Sequence, residues 1–467
     1  MKSTREMEVN LAWLLRTKNP VDPDASRIPT IALVLAYMDL VPASMQKGEI
    51  ELQRPSFLPA LDYLDISEKK AEKSGLEDVF LRILRVCSEW QGLNEHLRGI
   101  LDPIFSFPHW DSQSAASLCQ ICIAIKEYRD STDRLTYAGF LRKLILQIPD
   151  LYRNTPDALV SLIYMLVREY AMRFKGHRVY DPFCQSASLL VPFASEGSMD
   201  VYGEEMNIYS AAIARLKTRI LSRADSIHVT DAITAPSFVA EGRLEQFDFV
   251  VSHLPFGLIR NDWHLETDEY NRFESGMPTR NSAEWPFLSH MLSQTRNNNG
   301  IVMAIVSPSV LFRTGVASDL RKRISIDNTL EAVVHMPAGL LSPSTFVAPV
   351  LLILRKGRSC RHVRFIDASE MGRKDRRQVT LFAPDVEHIC ELILSEKEEP
   401  GEARSVTLDE IAEHGYSWQV SNYVTRAVQP QEKVDPAQLA EDIHRLRSAI
   451  ADKQARLDTL LADWNNQ

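Results

Sequence analysis

The sequence predicts an α/β protein whose central element is a doubly wound, Rossmann-like sheet. Between about residues 176 and 356, short apolar segments alternate with stretches of helical periodicity, as in parallel sheets with helices on both faces. Residues before about 150 lack this alternation, and a charged tail with few helix breakers follows Pro430. We therefore expect a helical N-terminal domain over 1–150, an α/β domain over 151–425 and a C-terminal helix over 431–467.

The N-terminal region carries apolar residues at helical spacing, as in Ile31–Leu40, Val79–Trp90 and Ala115–Tyr128. Prolines divide this region into short helices and connecting loops. Thr155 and Pro156 then predict the start of a longer helix, with Thr155 as its N-cap and Pro156 at its first helical position.

Seven segments of the α/β domain have the length and apolar content of buried strands. They are Arg178–Tyr180, Val201–Gly203, Ile227–Val229, Phe247–Ser252, Ile301–Val306, Leu330–His335 and Pro349–Leu354. Open sheets of this kind bind ligands at the carboxyl ends of their strands. The residues that follow these segments are therefore the first candidates for a functional site.

Acidic residues follow the first three strands: Asp181, then Glu204 or Glu205, then Asp231. A carboxylate at the end of the second strand commonly accepts hydrogen bonds from ribose hydroxyls. A single acid in such a place more often complements a helix N-terminus. Three acids in register with the strand ends nevertheless predict a nucleoside-binding site.

The composition is that of a folded globular protein, with 45% hydrophobic and 25% charged residues. No apolar run approaches the roughly 18 residues of a membrane span, and the N-terminus lacks the apolar core of a signal peptide. We therefore expect a cytoplasmic protein without a membrane segment. Six cysteines follow no repeating frame, and the pair Cys119 and Cys122 lies in an apolar helical stretch, which favours core packing over metal binding.

A net charge of −9 argues against strong DNA binding by the chain alone, because phosphate contacts need basic surface. Three basic clusters stand against this acidic background: Arg321–Arg323, Arg355–Arg364 and Arg373–Arg377. Each cluster alone is more often a solvated face than a nucleic-acid site. Together they can form a patch on one face.

The most informative segment is Phe247–Gly257, in which a buried strand runs into a short turn that ends in Pro-Phe-Gly. Together with Val179–Cys184, Tyr202–Asn207 and Thr230-Asp231, in this order, it resembles the motifs of the M subunits of type I restriction-modification systems, an adenine-N6 DNA methyltransferase family. The similarity covers roughly residues 150 to 425 and continues in Ser282–Leu292, Gly300–Phe312, Leu330–Leu340, Phe365–Ser369 and Tyr416–Tyr423.

The resemblance implies a methyltransferase sheet that holds S-adenosylmethionine and acts on DNA. By position, it implies that the cofactor site is formed by Thr155, Pro156, Asp181, Ser186, Glu205 and Asp231. Within that set, Asp181 would begin the loop around the cofactor, Glu205 would bind its ribose and Asp231 its adenine amine. It implies no metal ion. It also places His253, Pro255 and Phe256 in the target-adenine site.

The loop His253–Phe256, here called the target loop, departs from the resembled family. The family's loop reads Asn-Pro-Pro-Phe or Asn-Pro-Pro-Tyr, whereas His253 and Leu254 occupy the first two positions in this chain. An exocyclic adenine amine is a poor nucleophile, so an amide oxygen and a backbone carbonyl must accept its two hydrogens during transfer. The flipped base also needs an aromatic face, which Phe256 supplies. A neutral imidazole offers one acceptor nitrogen and a protonated one offers none.

The cofactor loop departs as well. The resembled family reads Asp-Pro-x-Cys-Gly-Ser-Gly-Gly, whereas this chain reads Asp181-Pro182-Phe183-Cys184-Gln185-Ser186-Ala187-Ser188. Glycine serves where the backbone needs a positive φ or approaches a ligand closely. We therefore expect weakened binding of S-adenosylmethionine.

Two altered loops on a retained scaffold predict a methyltransferase-family subunit whose catalysis is weakened or lost, and which serves as a DNA-binding or assembly component of a restriction or defence complex. The alternative is an active adenine-N6 methyltransferase that uses His253 in place of Asn. An RNA or protein methyltransferase is less attractive, because the segments after the target loop resemble the DNA-modifying family.

The C-terminal segment after Asp435 predicts a helix with a heptad of apolar residues. The heptad consists of Leu439, Ile443, Leu446, Ile450, Leu457, Leu460 and Trp464, with Lys453 at the one charged position of the seam. Such a stripe can dock on its own domain. The resemblance implies instead that it packs against a sequence-recognising S-type subunit, and possible partners extend to a restriction subunit.

Overall fold

The computed structural model describes residues 121, 124–146, 148, 155–221, 226–260, 263, 267–273, 283–395 and 397–425, with scattered positions between 441 and 454. The chain divides into two units, with the boundary between Val424 and Thr425. Most of the expected N-terminal domain, with Cys119 and Cys122, lies outside the described residues. Its described part contains the helix α1 (Arg134–Leu146), and the domain boundary near 150 stays a prediction.

Nine strands form one sheet. They are β1 (Arg178–Asp181), β2 (Asp200–Glu205), β3 (Ile227–Val229), β6 (Phe249–His253), β7 (Ile301–Val306), β8 (Leu330–His335), β9 (Val350–Arg355), β10 (His362–Asp367) and β13 (Ala403–Thr407), in the order β13-β10-β8-β9-β7-β6-β1-β2-β3. Two small hairpins pair β4 (Val239–Ala240) with β5 (Arg243–Leu244), and β11 (Arg373–Asp375) with β12 (Gln378–Thr380). The predicted α/β class is confirmed, and every predicted strand exists within two residues of its expected bounds.

The sheet is mixed, whereas the sequence pattern predicted a parallel one. Strands β3, β2, β1, β6 and β7 are parallel neighbours. Strand β9 is antiparallel to both β7 and β8, and β13 is antiparallel to β10. The reversal at β9 has a simple cause: the loop 336–349 contains no helix to carry the chain back across the sheet, so β9 starts at the edge where β8 ends.

Helices cover the sheet. They are α2 (Asp157–Phe174), α3 (Val191–Glu196), α4 (Ile208–Leu221), α5 (Glu284–Ser293), α6 (Val316–Ile326), α7 (Ala383–Leu394) and α8 (Leu408–Glu413). The central strands β6 and β7 are buried along their whole length, as expected for strands packed on both faces. Strand β2 packs closely against its neighbours at Gly203. A Cβ there would lie 2.9 Å from Cys184 Sγ and 2.8 Å from the Ile227 side chain, so glycine permits this close contact.

The predicted cap of α2 is wrong. The helix begins at Asp157, with Pro156 as the flanking residue and no side-chain cap. Thr155 does not cap the helix, because its hydroxyl is hydrogen-bonded to another side chain at the candidate site. Pro156 keeps the extended backbone, with φ −56° and ψ 141°, that places Thr155 there.

The C-terminal unit is described only in part. Its described positions between 441 and 454 are helical, in line with the predicted helix. Two heptad positions, Ile450 and Lys453, are among them, and both are exposed. Leu439, Ile443, Leu446, Leu457, Leu460 and Trp464 lie outside the described residues. In the part of the chain that the structure describes, no helix is both long and apolar enough to span a membrane.

Candidate nucleoside and target-base site

The parallel strands β1, β2, β3 and β6 deliver their carboxyl ends to one edge of the sheet. Asp181 ends β1, Glu205 ends β2, Asp231 follows β3 by two residues, and His253 ends β6. The predicted site residues are therefore brought to a common edge, where such folds bind ligands. His253 is the last residue of a strand and not part of the turn, as its pairing with Ile305 of β7 shows.

The loop after β1 is tied to the end of β2 by Glu205. One carboxylate oxygen accepts the backbone N–H of Gln185 at 2.9 Å, and the other accepts that of Asn207 at 2.7 Å. Asp181 similarly accepts the backbone N–H of Phe183 at 3.0 Å. Of the two acids at the end of β2, Glu205 is therefore the one that contacts the loop after β1. Each carboxylate oxygen has a second lone pair with which it can accept a hydroxyl.

The loop after β1 keeps a left-handed backbone at two of the positions where the resembled family has glycine. Gln185 has φ +49° and Ala187 has φ +64°. A side chain in this region costs about 1–2 kcal/mol per residue. Both residues are also buried, so the surrounding structure imposes the turn despite its cost.

Ser186, predicted as a cofactor residue, is bound to a buried lysine. Lys217 of α4 donates a hydrogen bond to Ser186 Oγ at 3.0 Å and another to the carbonyl oxygen of Ile148 at 2.6 Å. Lys217 is 1% exposed. This ammonium group links the loop after β1 to residue 148, and sequence reasoning missed it because a lone lysine in a helix has no pattern of its own.

Asp231 is covered by two side chains from the segment after the target loop. Arg260 Nη2 lies 3.2 Å from Asp231 Oδ2, and Trp263 Nε1 donates to the same oxygen at 3.1 Å. The other oxygen accepts the backbone N–H of Ile233 at 3.0 Å. Arg260 also reaches Met206 Sδ at 3.7 Å and stacks on the Trp263 ring at 4.9 Å. The guanidinium group thus lies between Met206 and Asp231.

His253 is held from the side by Thr155. Thr155 Oγ1 and His253 Nδ1 are 2.9 Å apart, and both residues are buried. The imidazole ring lies edge-on to Phe256, with ring centroids 5.8 Å apart. Of the predicted target-base residues, Pro255 and Phe256 are half-buried. Leu254, which lies between them and His253, is fully buried.

A chain of polar side chains lies buried behind the site. The Tyr180 hydroxyl donates to Glu204 Oε2 at 2.5 Å and lies 3.3 Å from His290 Nε2, and His290 Nδ1 lies 3.1 Å from Arg272. Arg272 pairs with Asp268 at 2.6 Å. Arg272 also donates to two backbone carbonyls in the segment after Asp231. Glu204, at the end of β2, is thus a structural residue.

Burial sets the protonation of this chain of side chains. Desolvation raises the pKa of the Glu204 carboxyl, although hydrogen bonds from Tyr180 and the backbone oppose it. Desolvation, followed by the charge of Glu204, raises the pKa of Tyr180 well above its usual value. Desolvation and the nearby Arg272 charge lower the pKa of His290 well below 6.5, so His290 is neutral.

A further buried acid lies at the same edge of the sheet. Glu284, at the start of α5, accepts hydrogen bonds from Ser307 N at 2.8 Å, Ser307 Oγ at 3.1 Å and Ser309 Oγ at 3.4 Å. Burial raises its pKa, against the effect of these hydrogen bonds. Glu284 ties α5 to the end of β7, next to the target loop. Among the described residues, no group of His, Cys, Asp and Glu side chains has the arrangement of a metal site.

The mixed sheet, the acids at its carboxyl edge and the Leu-Pro-Phe turn after β6 define a Rossmann-like methyltransferase fold. The chain belongs to the N-6 DNA methylase family, whose model matches residues 152–432. The resemblance seen in the motifs is thereby confirmed.

Curated relatives and solved structures agree with this family. The chain is 27% identical over 306 residues to a type I restriction enzyme methylase subunit of Mycoplasma pneumoniae, a match that covers 61% of this chain and 54% of that one. It is 24% identical over 324 residues to such a subunit of Haemophilus influenzae, with 65% and 70% covered. The chain thus spans only about half the length of the first of these relatives.

The fold is that of a solved methyltransferase subunit of a type I restriction-modification system from Streptococcus thermophilus, with a TM-score of 0.69 at 19% identity, covering 91% of this chain and 100% of that one. A second solved chain, described under complex assembly and conformational transition of a type I restriction-modification system, matches with a TM-score of 0.67 at 16% identity and covers 99% of both chains.

Proposed function

We propose that this chain is a methylase-type subunit of a restriction-modification or defence complex, with weakened or lost adenine-N6 methylation, that works by binding DNA and assembling with partner subunits. Two observations support the loss of methylation. His253 replaces the amide side chain of the target loop, and Arg260 and Trp263 cover Asp231. Either change alone affects one substrate. Together they affect the methyl donor and the methyl acceptor.

The described residues do not fit S-adenosylmethionine as they stand. Glu205 is placed to accept ribose hydroxyls, which supports a nucleoside site. Asp231, the residue expected to accept the adenine amine, has one oxygen on Ile233 N and the other on Arg260 and Trp263. A cofactor adenine would have to displace the Arg260 guanidinium from beside Met206. Weak cofactor binding follows from this competition.

The target loop offers at most one acceptor from its side chain. If Thr155 donates to Nδ1, then His253 Nε2 carries the proton and is a donor. If Nδ1 donates to Thr155, then Nε2 is an acceptor. Only the second tautomer can accept one hydrogen of an adenine amine. A carboxamide in the same place would offer an oxygen acceptor irrespective of the Thr155 hydroxyl.

The second candidate function is an active adenine-N6 methyltransferase that uses His253. The contact with Thr155 favours it, because this hydrogen bond orients the ring and can hold the acceptor tautomer. The half-buried Phe256 stays available as a stacking face for a flipped base. In this case Thr155→Val would abolish methylation, since valine keeps the shape of threonine without its hydroxyl.

Sequencing of methylated adenine in host DNA, with and without the gene, separates the two functions. We expect no gene-dependent N6-methyladenine for the wild-type chain. His253→Asn combined with Arg260→Ala would then restore a signal if the two altered sites are the only obstacles. Gene-dependent methylation by the wild-type chain, abolished in Thr155→Val, would overturn the proposed loss of catalysis.

Partners are proposed from the C-terminal helix. Ile450 is exposed in the described part of that helix. This supports an apolar heptad stripe that an S-type subunit or a restriction subunit can contact. A chain truncated at Pro430 should keep its fold up to Val424 and fail to co-purify with such a partner. Unchanged co-purification would contradict a partner role for the helix.

A further inference from the structure

The three basic clusters of the sequence differ in burial and in the contacts that their side chains make. In the first, Arg321 is buried and donates to the carbonyls of Val310 and Tyr416. In the second, Arg355 pairs with Glu331, and Arg364 donates to the Leu392 carbonyl. Much of the positive charge in these two clusters is therefore used to hold the fold together.

The third cluster is built differently. Arg373, Lys374, Arg376 and Arg377 are all exposed on the hairpin of β11 and β12. None of these four side chains forms a hydrogen bond or an ion pair with another residue in the part of the chain that the structure describes. Asp375 is the single acid within the hairpin, so the hairpin presents a net positive charge on a chain with an overall charge of −9.

The hairpin is fixed in place and is not a loose loop. Val379 of β12 is buried, and its backbone N–H donates to the carbonyl of Gly339 at 3.2 Å. Gly339 has φ +86°, and a Cβ there would lie 2.4 Å from the Arg377 carbonyl, so only glycine allows this approach. Leu381, immediately after the hairpin, is part of the main core. The base of the hairpin is therefore anchored while its charged side chains are exposed to solvent.

The hairpin lies at the same edge of the sheet as the target loop. Strands β6 and β7 are parallel, β9 reverses, and β8 and β10 run again in the direction of β6. The ends of β6 at His253 and of β10 at Asp367 therefore share one edge, and the hairpin begins six residues after Asp367. Four strand spacings separate β10 from β6, which is about 19 Å, or roughly five to six base pairs of duplex.

We propose that the β11–β12 hairpin binds the phosphate backbone of DNA, a few base pairs from the base presented to His253. The inference rests on the proposed DNA-binding function and adds the surface that carries it. Exposed basic side chains, carried by a hairpin that is anchored at the edge of the sheet where the target loop lies, are the complement of a phosphate backbone. An overall acidic chain needs such a local surface, because the rest of its charge repels DNA.

The test measures binding of the full-length chain to a fluorescent duplex of about 40 base pairs of mixed sequence, at salt between about 50 and 200 mM. The variant is Lys374→Ala/Arg376→Ala/Arg377→Ala. The control, Lys322→Ala/Arg323→Ala/Arg361→Ala, removes the same charge from exposed residues of the other two clusters. Arg323 lies near the end of α6 and Arg361 just before β10, so both lie toward the opposite edge of the sheet.

We expect the hairpin variant to bind DNA at least about tenfold more weakly than the wild type. The slope of log affinity against log salt should fall by about 0.9 for each phosphate that the variant no longer neutralises. The control should stay within about twofold. Arg376→Lys/Arg377→Lys should bind as the wild type, since a point charge suffices for a phosphate. The hairpin site would be overturned if both triple variants lost affinity equally, or if neither variant lost affinity.

Two outcomes separate this inference from the proposed function. DNA binding that survives the hairpin substitutions would place DNA elsewhere and leave the proposed function standing. If that variant instead failed to co-purify with a partner subunit, the hairpin would be a protein contact. Absence of DNA binding by the wild-type chain at low salt would overturn both the hairpin site and the DNA-binding part of the proposed function.

Discussion

Arg260 and Asp231 form an ion pair, at 3.2 Å, across the part of the site where the adenine of a methyl donor is expected. Both side chains are largely buried, with 18% and 17% of their surface exposed. The pair is therefore shielded from solvent more than a surface salt bridge is, and it competes directly with a ligand for the same carboxylate. This competition can be relieved by a single substitution.

We predict that Arg260→Ala strengthens binding of S-adenosylmethionine by about fivefold, because the cofactor no longer has to displace a guanidinium worth about 1 kcal/mol. Isothermal titration calorimetry measures the change. Arg323→Ala removes an exposed arginine that pairs with Asp327 and should leave the affinity unchanged. Equal affinities of Arg260→Ala and the wild type would show that Arg260 does not obstruct the cofactor.

The left-handed residues of the loop after β1 predict a stability gain. Gln185→Gly relieves about 1–2 kcal/mol of backbone strain and sacrifices about 0.5–1 kcal/mol through the greater entropy of glycine in the unfolded chain. The free energy of unfolding should therefore rise by up to about 1.5 kcal/mol, as measured by urea denaturation. Ser188→Gly, at a neighbouring position without a positive φ, should lower it. A loss of stability in Gln185→Gly would indicate that the Gln185 side chain contributes more than the strain costs.

The neutral His290 predicts a pH dependence of stability. Its folded pKa is well below the usual 6.5 because of burial and the Arg272 charge. Below about pH 6.5 the unfolded state therefore binds one proton more than the folded state, and the free energy of unfolding falls by up to about 1.4 kcal/mol per pH unit. The raised pKa values of Glu204 and Glu284 act in the opposite direction, and both acids are present in any His290 variant.

His290→Gln removes the titrating group and keeps an acceptor for Arg272. Unfolding curves at pH 5, 6 and 7 should therefore show a smaller loss of stability toward acid for this variant than for the wild type. Parallel pH profiles of the two proteins would mean that His290 does not contribute to the dependence.

The contact between Lys217 and Ser186 predicts an asymmetric effect of substitutions. Ser186→Ala leaves the buried ammonium of Lys217 with one fewer acceptor and should cost about 1.5–3 kcal/mol of unfolding free energy. Lys217→Met removes the buried charge itself and should cost less, because an apolar replacement leaves no charge to satisfy. Thermal unfolding compares the two variants. A larger loss of stability in Lys217→Met would show that the link to residue 148 outweighs the contact with Ser186.

The central strands were predictable because their apolar runs are uninterrupted, as in Ile301–Val306. The direction of β9 was not, since it depends on how the chain returns after His335 and not on any pattern within the strand. The choice between Glu204 and Glu205 was also open in the sequence. Neighbouring residues of a strand point to opposite faces, and the structure places Glu204 on Tyr180 and Glu205 on the loop after β1.

The place of a candidate site residue was predictable only where that residue ends a strand. Asp181, Glu205 and His253 meet this condition and lie at the expected edge. The contacts of Asp231 with Arg260 and Trp263 bring together residues about 30 positions apart, on either side of strand β6, and no periodicity marks such pairs. Thr155 was assigned to a helix cap by its type and neighbour, whereas its actual partner, His253, lies 98 positions away.

The backbone turn at Gln185 and Ala187 has a consequence for any attempt to rebuild the cofactor site. The loop follows the course suited to glycine although neither glycine is present, so its path is dictated by the strands, helices and carboxylates around it. A redesign can therefore leave the main chain untouched and exchange side chains alone. Under the proposed loss of cofactor binding, the side chains of Gln185 and Ala187 are therefore the part of this loop to exchange, because the path of its main chain already suits glycine.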